Sequence, residues 1–193
     1  RIGQLAVART FSASSLEHAT AVGDEWLAGI ALMNLGEIAR MEGGIAAAAA
    51  YYRVSLSRLQ RSGDPYFCAI AEINLGQIYL LQGDHAHAEA LLRQALAAGL
   101  QAESAQVAAS ALEKLTGALY TRDSVTAGRL FSLAQEIRRI SGVTVQPVDQ
   151  ADYAHLAAQL EPVAVSADVL APVAEGIRLN WRAIQAAIAA ISG

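Results

Sequence analysis

Proline, cysteine and aromatic residues are all scarce in this chain of 193 residues, which has four prolines, one cysteine and 6% aromatic residues. With a single cysteine, no disulfide can form within the chain, and this favours a reducing compartment. Alanine, the best helix former, supplies much of the 54% apolar content. Strands with alternating apolar and polar residues are lacking as well. The composition therefore predicts an all-α protein of the cytoplasm.

An excess of positive charge is also lacking, because 14 Lys and Arg residues stand against 18 Asp and Glu residues. Surfaces that bind nucleic acid need basic residues to neutralise phosphates, so we expect no direct contact with nucleic acid. The longest apolar runs, around Ile45–Tyr52 and Ala183–Ile191, are shorter than the roughly 18 residues that span a bilayer, or are interrupted by polar residues. No contact with a membrane is expected either.

Motifs that cradle phosphates, activate a serine or hold a catalytic zinc are missing from the sequence. His85 and His87 form the only close histidine pair, but side chains two positions apart on a helix diverge, and further zinc ligands are lacking nearby. Cys68 has no recognisable histidine partner and is assigned to packing. We therefore expect neither an enzyme nor a protein that binds a metal or a cofactor.

The strongest positive signal is an internal repeat with a period of about 40 residues. The segment Asn34–Ile38 reads Asn-Leu-Gly-Glu-Ile, and Asn74–Ile78 repeats it with Gln in place of Glu. The same shift maps Gly43 onto Gly83, and a weaker third copy lies at Leu115–Tyr120. Agreement at this many positions indicates that one supersecondary unit is repeated along the chain.

Each copy is predicted to be a pair of helices, from apolar residues at helical spacing. The first helices are predicted over Glu25–Met41, Asp64–Gln82 and Glu103–Thr121. A glycine lies in the middle of each, at Gly36, Gly76 and Gly117. Because glycine inside a helix costs about 1 kcal/mol relative to alanine, its recurrence predicts a close approach of a neighbouring helix.

These residues resemble the tetratricopeptide repeat, in which a Leu-Gly pair is followed by an aromatic residue, a Gly-Asp turn and two spaced alanines. The best-fitting copy has Leu75-Gly76, Tyr79, Gly83-Asp84, Ala88, Leu92 and Ala95. The preceding copy departs from the pattern, with Ala39 at the aromatic position and Ser55 at the second alanine. The resemblance implies a right-handed superhelical array of antiparallel helix pairs, an α-solenoid, over residues 1–142.

After Gly142 the repeat register ends, and residues 143–193 are expected to form a linker and helices that cap the array. The linker is predicted at Val143–Gln150, and the helices at Ala151–Leu160, Ala167–Ile177 and Leu179–Ile191. The set Ala127–Phe131, Pro147, Asp152-Tyr153 and Glu175-Gly176 is similar to the C-terminal end of bacterial LuxR-type and related signal-transduction ATPase regulators. Because Arg1 lies within a predicted helix, the chain is expected to be part of a longer protein.

The tetratricopeptide resemblance also implies a concave groove, lined by the first helix of each pair, that binds a peptide or a partner helix. Its positions are Met33, Asn34, Glu37, Arg40 and Met41 in the first copy, Ile73, Asn74, Gln77, Leu80 and Leu81 in the second, and Lys114, Ala118 and Arg122 in the third. Asn34 and Asn74 stand out, since a side-chain amide both donates to and accepts from a peptide backbone. A cluster of cations is not expected, because Glu37 stands beside Arg40 and the second copy is apolar.

The sequence thus predicts a module for protein binding or ligand sensing, the C-terminal regulatory arm of a larger bacterial signalling ATPase or transcriptional regulator. The expected partner is a protein or peptide, and a preceding part of the same chain is one candidate. A free-standing adaptor that joins partners is the alternative interpretation. Self-association through an exposed end of the array is a third, because an uncapped array exposes apolar faces.

Overall fold

The computed structural model describes residues 2–160, 174–175 and 178–192, and helices make up most of this part of the chain. The helices are α1 (Ile2–Val22), α2 (Glu25–Met41), α3 (Ile45–Ser62), α4 (Pro65–Leu81), α5 (His85–Gln101), α6 (Ala105–Leu119), α7 (Ser124–Ser141), α8 (Gln150–Leu160) and α9 (Trp181–Ser192). Two short strands, β1 (Ala174–Glu175) and β2 (Arg178–Leu179), pair antiparallel. Apart from this small ribbon, the described residues confirm the predicted all-α class.

Helices α1 to α7 pack each against the next in chain order, and α4 also contacts α6. On α2, Gly29 faces Leu59 of α3, and the later Gly36 faces the earlier Tyr52. Because the order reverses between the two helices, α2 and α3 run antiparallel. Among the described residues, no helix has the length and apolar character needed to cross a membrane.

Short turns between the helices carry the local signals that the sequence predicts. Asp64 and Asp84 accept hydrogen bonds from backbone N–H groups in the first turns of α4 and α5, and so cap them. The residue that precedes the cap has a positive φ, for example 76° at Gly83. Glu103, with φ 51°, occupies the corresponding position before α6, so a conformation that favours glycine is imposed on a residue with a Cβ atom.

The mid-helix glycines confirm the predicted close approach at two positions of three. A Cβ atom on Gly36 would lie 2.7 Å from the Tyr52 ring, and one on Gly76 would lie 2.9 Å from Leu92. At Gly117, however, the nearest atom is Leu80 Cδ1, at an ordinary 3.5 Å. The prediction is wrong there, because α7 does not approach α6 at this glycine.

Two clusters of buried apolar side chains hold the helices together. Tyr52, Leu59 and Ile78 belong to the first, which is formed by α2, α3 and α4. The second runs from α4 to α9 and includes Leu112 and Ile137. The apolar periodicity of the helices thus produces a core that continues along the chain.

The tail departs from its predicted helices in two places. Most of the helix predicted at Ala167–Ile177 lies outside the described residues, but at Ala174 and Glu175 the prediction is wrong, because these residues pair with Leu179 and Arg178. The last helix begins at Trp181, after the Asn180 side chain accepts a hydrogen bond from the Ala183 N–H and caps it. The linker predicted before α8 has no regular secondary structure from residue 143 to 149.

Candidate functional site

Three polar side chains from three different helices meet on one face of the array. They are Arg40 near the end of α2, Gln77 on α4 and Lys114 on α6, and we call them the cradle. All three are positions that the sequence assigns to a groove. Residues 143–160, which comprise the non-helical stretch and α8, lie across this face, and we call them the strap.

The cradle holds two carboxylates of the strap. Lys114 Nζ donates to Asp149 Oδ1 at 3.2 Å, and Arg40 Nη2 reaches the same oxygen at 3.4 Å. Gln77 Nε2 donates to Asp152 Oδ2 at 3.1 Å. Arg40 Nη1 lies 3.9 Å from that same oxygen of Asp152. The cradle therefore binds carboxylates with two cations and one amide.

A third carboxylate, that of Glu37 on the same helix, holds Arg40 in place. Its Nη2 donates to Glu37 Oε1 at 2.8 Å, and the Tyr52 hydroxyl donates to Glu37 Oε2 at 2.8 Å. Burial lowers the pKa of Arg40, but the hydrogen bond and charge of Glu37, with the charge of Asp149, raise it above its ordinary value. Burial and the Glu37 carboxylate raise the pKa of Tyr52 well above its usual range. The guanidinium thus stays charged and the phenol stays protonated.

A buried ion pair attaches the start of the strap to the array. Arg138 on α7 donates to both carboxylate oxygens of Glu113 on α6, with Nη2 to Oε2 at 2.9 Å. The same guanidinium donates to Ser110 Oγ and, through Nη1, to the backbone oxygen of Thr144 at 2.9 Å. The strap therefore leaves α7 in a direction set by Arg138.

After Thr144, two cavities lie between the strap and the array. One of about 250 Å³ lies between α4, α6 and the non-helical part of the strap, with Asn74 and Val148 in its lining. A second, of about 200 Å³, lies under α8, with Leu80 and Gly117 in its wall. The strap thus contacts the array through polar groups and through the apolar face of α8, with gaps between these contacts.

The remaining predicted groove residues are scattered. Met33, Ile73 and Ala118 are buried in the array, whereas Asn34, Met41 and Leu81 are exposed. Arg122 pairs with Glu89 of α5 at 3.0 Å, away from the cradle. Of the two asparagines singled out from the sequence, Asn74 borders a cavity beneath the strap.

Sequence reasoning missed the strap side of the site. The sequence places Asp149 in the predicted linker and Asp152 in a predicted capping helix, and its repeat pattern gives no sign that either residue contacts the groove. The structure corrects the expectation that cations do not cluster here, because Arg40 and Lys114 share one oxygen of Asp149. One available signal was the pair of carboxylates three residues apart in a stretch, residues 146–160, that contains no Lys or Arg.

The histidines and the cysteine take part in local structure. His87 Nδ1 lies 2.7 Å from Asp84 Oδ2 at the start of α5, and its ring packs against Tyr79. Burial, followed by the charges of Glu72 and Asp64, raises the pKa of the half-buried Cys68 thiol. Within the part of the chain that the structure describes, His, Cys, Asp and Glu residues form no group of three or more that could hold a metal ion.

No family model, no curated protein and no solved structure matches the chain.

Proposed function

We propose that this chain is a protein-binding module of the tetratricopeptide kind, and that its cradle receives a carboxylate-bearing segment of a partner. The helix pairs then form a right-handed α-solenoid whose concave side contains α2, α4 and α6. The groove positions carried over from the tetratricopeptide pattern include all three cradle residues.

The observation that carries this proposal is the shared oxygen of Asp149. The side chains of Arg40 and Lys114 are each only 12% exposed, and they converge on that oxygen from α2 and α6. Bringing two cations together and removing them from water is unfavourable unless an anion lies between them. Such a pair, supported by the amide of Gln77, favours a carboxylate ligand over a neutral one.

In its wider setting, the module is the C-terminal regulatory arm of a larger bacterial signalling ATPase or transcriptional regulator. Phe11 on α1 is 73% exposed and Val7, one turn before it, is 56% exposed, an apolar surface that suits contact with another domain. A free-standing adaptor is the alternative. The native length of the chain and the domains encoded beside it distinguish these two roles.

Selection from a phage-displayed library of random peptides tests the binding function. The target is the full chain, both as the wild type and as the Asp149→Asn/Asp152→Asn variant, whose strap no longer presents carboxylates. We expect the selection to enrich acidic peptides that bind at least one of these targets. These peptides should no longer bind when the substitutions Arg40→Gln and Lys114→Met are made in the target.

Arg53→Gln is the matched control, because Arg53 is an exposed cation on α3 outside the cradle. This variant should keep the selected peptides bound. Enrichment of no peptide on either target, or of peptides that bind equally well without the cradle cations, would overturn the proposal.

A further inference from the structure

We infer that the strap is an internal pseudo-ligand, which occupies the cradle in place of the partner and is displaced by an acidic helical segment of similar chemistry. This inference rests on the proposed binding function and adds the class of partner and the way in which access is regulated. Three observations support it: the charge complementarity of strap and cradle, the limited packing of α8, and the position of the anchor at Thr144.

Charge complementarity accounts for the strap's position on the array. From Gln146 to Leu160 it contains two carboxylates and neither Lys nor Arg, and both carboxylates contact the cradle. The array supplies the opposite charge at that point through Arg40 and Lys114. The strap therefore binds as an acidic peptide would.

The hold of α8 on the array is weak compared with that of the other helices. Leu160 is its only buried residue, whereas α6 buries ten residues along 15. The side chain of Asp152 is 49% exposed, so water competes for its contacts with Arg40 and Gln77. A further cavity of about 370 Å³, with Phe131 and Ala158 in its lining, separates parts of α7 and α8. Releasing α8 thus exposes an apolar face of four residues, of which Leu160 is buried and Tyr153, Leu156 and Ala157 are half-buried, whereas each of α2 to α7 buries at least five residues.

The anchor of the strap lies before the part that covers the cradle. The bonds from Arg138 reach Thr144 and extend no further along the strap. Gly142, with φ 75°, ends α7, and residues 143–149 have no regular secondary structure. The segment after Thr144 can therefore leave the cradle while the buried pair of Arg138 and Glu113 stays intact.

The contacts of the strap specify the chemistry of a competitor. Asp149 and Asp152 are three residues apart, at the start of α8, so one helical turn presents both carboxylates to the cradle. On the following turns, Tyr153 packs against the Phe131 ring with centroids 5.3 Å apart, and Leu156 borders the cavity beneath α8. The matching partner segment is a short amphipathic helix with two early carboxylates followed by an aromatic and an aliphatic residue.

An internal competitor weakens the apparent affinity for an added ligand, because the ligand binds only the fraction of molecules in which the cradle is open. A probe for this effect is a fluorescein-labelled peptide with the sequence of residues 146–160, added to the full chain and followed by fluorescence anisotropy. We expect the Asp149→Asn/Asp152→Asn chain to bind this peptide at least about tenfold more tightly than the wild type does. Adding Arg40→Gln and Lys114→Met should abolish the gain, and Arg53→Gln should not.

Hydrogen exchange of the unlabelled chains provides a second readout. The Asp149→Asn/Asp152→Asn variant should lose protection in α8 but keep that of α2 to α6, which also shows that the array remains folded. Equal peptide affinity of wild type and variant, or unchanged protection in α8, would overturn the inference. A stable wild-type dimer that loses α8 protection on dilution would also overturn it, because a second copy would then supply the strap.

The two proposals fail in different ways. If library peptides bind through the cradle equally well in the wild type and in the strap variant, the binding function stands and the pseudo-ligand is refuted. If the strap peptide binds the variant while the library yields no other ligand, the strap is a permanent internal cap and the binding function is refuted.

Discussion

Arg138 and Glu113 form a bidentate ion pair in which each side chain is less than one tenth exposed. The pair joins α7 to α6, and Arg138 also holds the start of the strap through the Thr144 carbonyl. Within the described residues, the structure leaves no buried side-chain nitrogen or oxygen without a hydrogen-bond partner. Removal of either member of the pair therefore leaves an uncompensated charge in the core.

Arg138→Met should lower the free energy of unfolding by about 3–5 kcal/mol, the usual effect of breaking a buried ion pair on one side. Urea unfolding followed by circular dichroism measures it. The double variant Glu113→Leu/Arg138→Met should recover much of the loss, because neither charge is then buried alone.

The adjacent residue provides the control for this prediction. Arg139 pairs with Glu136 on the same helix, but its side chain is 68% exposed. Arg139→Met should change stability by less than about 1 kcal/mol, since water screens exposed pairs. Similar losses for Arg138→Met and Arg139→Met would show that burial of the pair has no special effect.

Glu72 on α4 should make the protein less stable as the pH rises, whereas a salt-bridged carboxylate makes a protein more stable as the pH rises. Burial raises its pKa from an ordinary 4.5 to about 6, so the folded state holds this proton more tightly than the unfolded state does. The contribution of Glu72 to stability is therefore greatest below about pH 4.5, declines as the pH rises through about 6, and is constant above that.

Glu72→Gln should accordingly raise the melting temperature at pH 7.5 and change it little at pH 4.5. The quantity to measure is the difference between variant and wild type at each pH, because it cancels the titration of the other carboxyl groups. Glu17→Gln, on an exposed position of α1, is the control and should give a difference near zero throughout. A gain from Glu72→Gln that is the same at both pH values would contradict the assignment.

Glu103 should be a site where glycine stabilises the protein. Its φ of 51° carries a cost of roughly 1–2 kcal/mol for a residue with a Cβ atom, and the exposed side chain has little packing to lose. Glycine loses more conformational entropy on folding than glutamate does, and this offsets roughly 0.5–1 kcal/mol of the gain in stability. Glu103→Gly should therefore raise the free energy of unfolding by about 0.5–1 kcal/mol, as measured by urea unfolding.

The corresponding turn before α4 provides the converse test. Gly63, with φ 75°, ends α3 in the same left-handed conformation. Gly63→Ala should lower stability by about 1 kcal/mol, because alanine adopts that conformation at a cost. If Glu103→Gly and Gly63→Ala shift the free energy of unfolding in the same direction, the left-handed φ does not determine which residue is more stable at these positions.

Local signals account for how well the helices could be predicted from the sequence. The predicted bounds Glu25–Met41 coincide with α2, because Asp24 caps its start and a glycine turn follows its end. Helical spacing and turn chemistry act over only a few residues, so they can be recognised in one sequence. At Ala174 and Glu175, pairing with the next strand overrides the local preference for helix.

Of the candidate site, the cradle residues could be predicted from the sequence but the strap residues that contact them could not. The tetratricopeptide resemblance assigns Arg40, Gln77 and Lys114 to one groove, although they occupy different repeat positions, since the 40-residue shift maps Arg40 onto Leu80 and Gln77 onto Glu37. Their contacts with Asp149 and Asp152 depend on the path of the non-helical residues before α8, which carries no periodic signal. How far the chain folds back over the array is a tertiary property, and spacing along the sequence does not encode it.

The two glycines Gly36 and Gly117 should respond in opposite ways to the same substitution. A Cβ atom on Gly36 would lie 2.7 Å from the Tyr52 ring, and the hydrogen bond from Tyr52 to Glu37, together with full burial, keeps that ring in place. Gly36→Ala should therefore lower stability by about 1–3 kcal/mol, the range for overpacking a core. At Gly117, the added Cβ would make an ordinary contact of 3.5 Å with Leu80.

Gly117→Ala should therefore raise the free energy of unfolding by about 1 kcal/mol, because alanine is the better helix former and meets no obstruction. Urea unfolding of the two variants beside the wild type measures both effects under one condition. Opposite signs would show that the repeated glycine is kept for helix approach in α2 but not in α6. Stabilisation by both substitutions would mean that Tyr52 can move aside, and that the close approach of α2 and α3 does not require glycine.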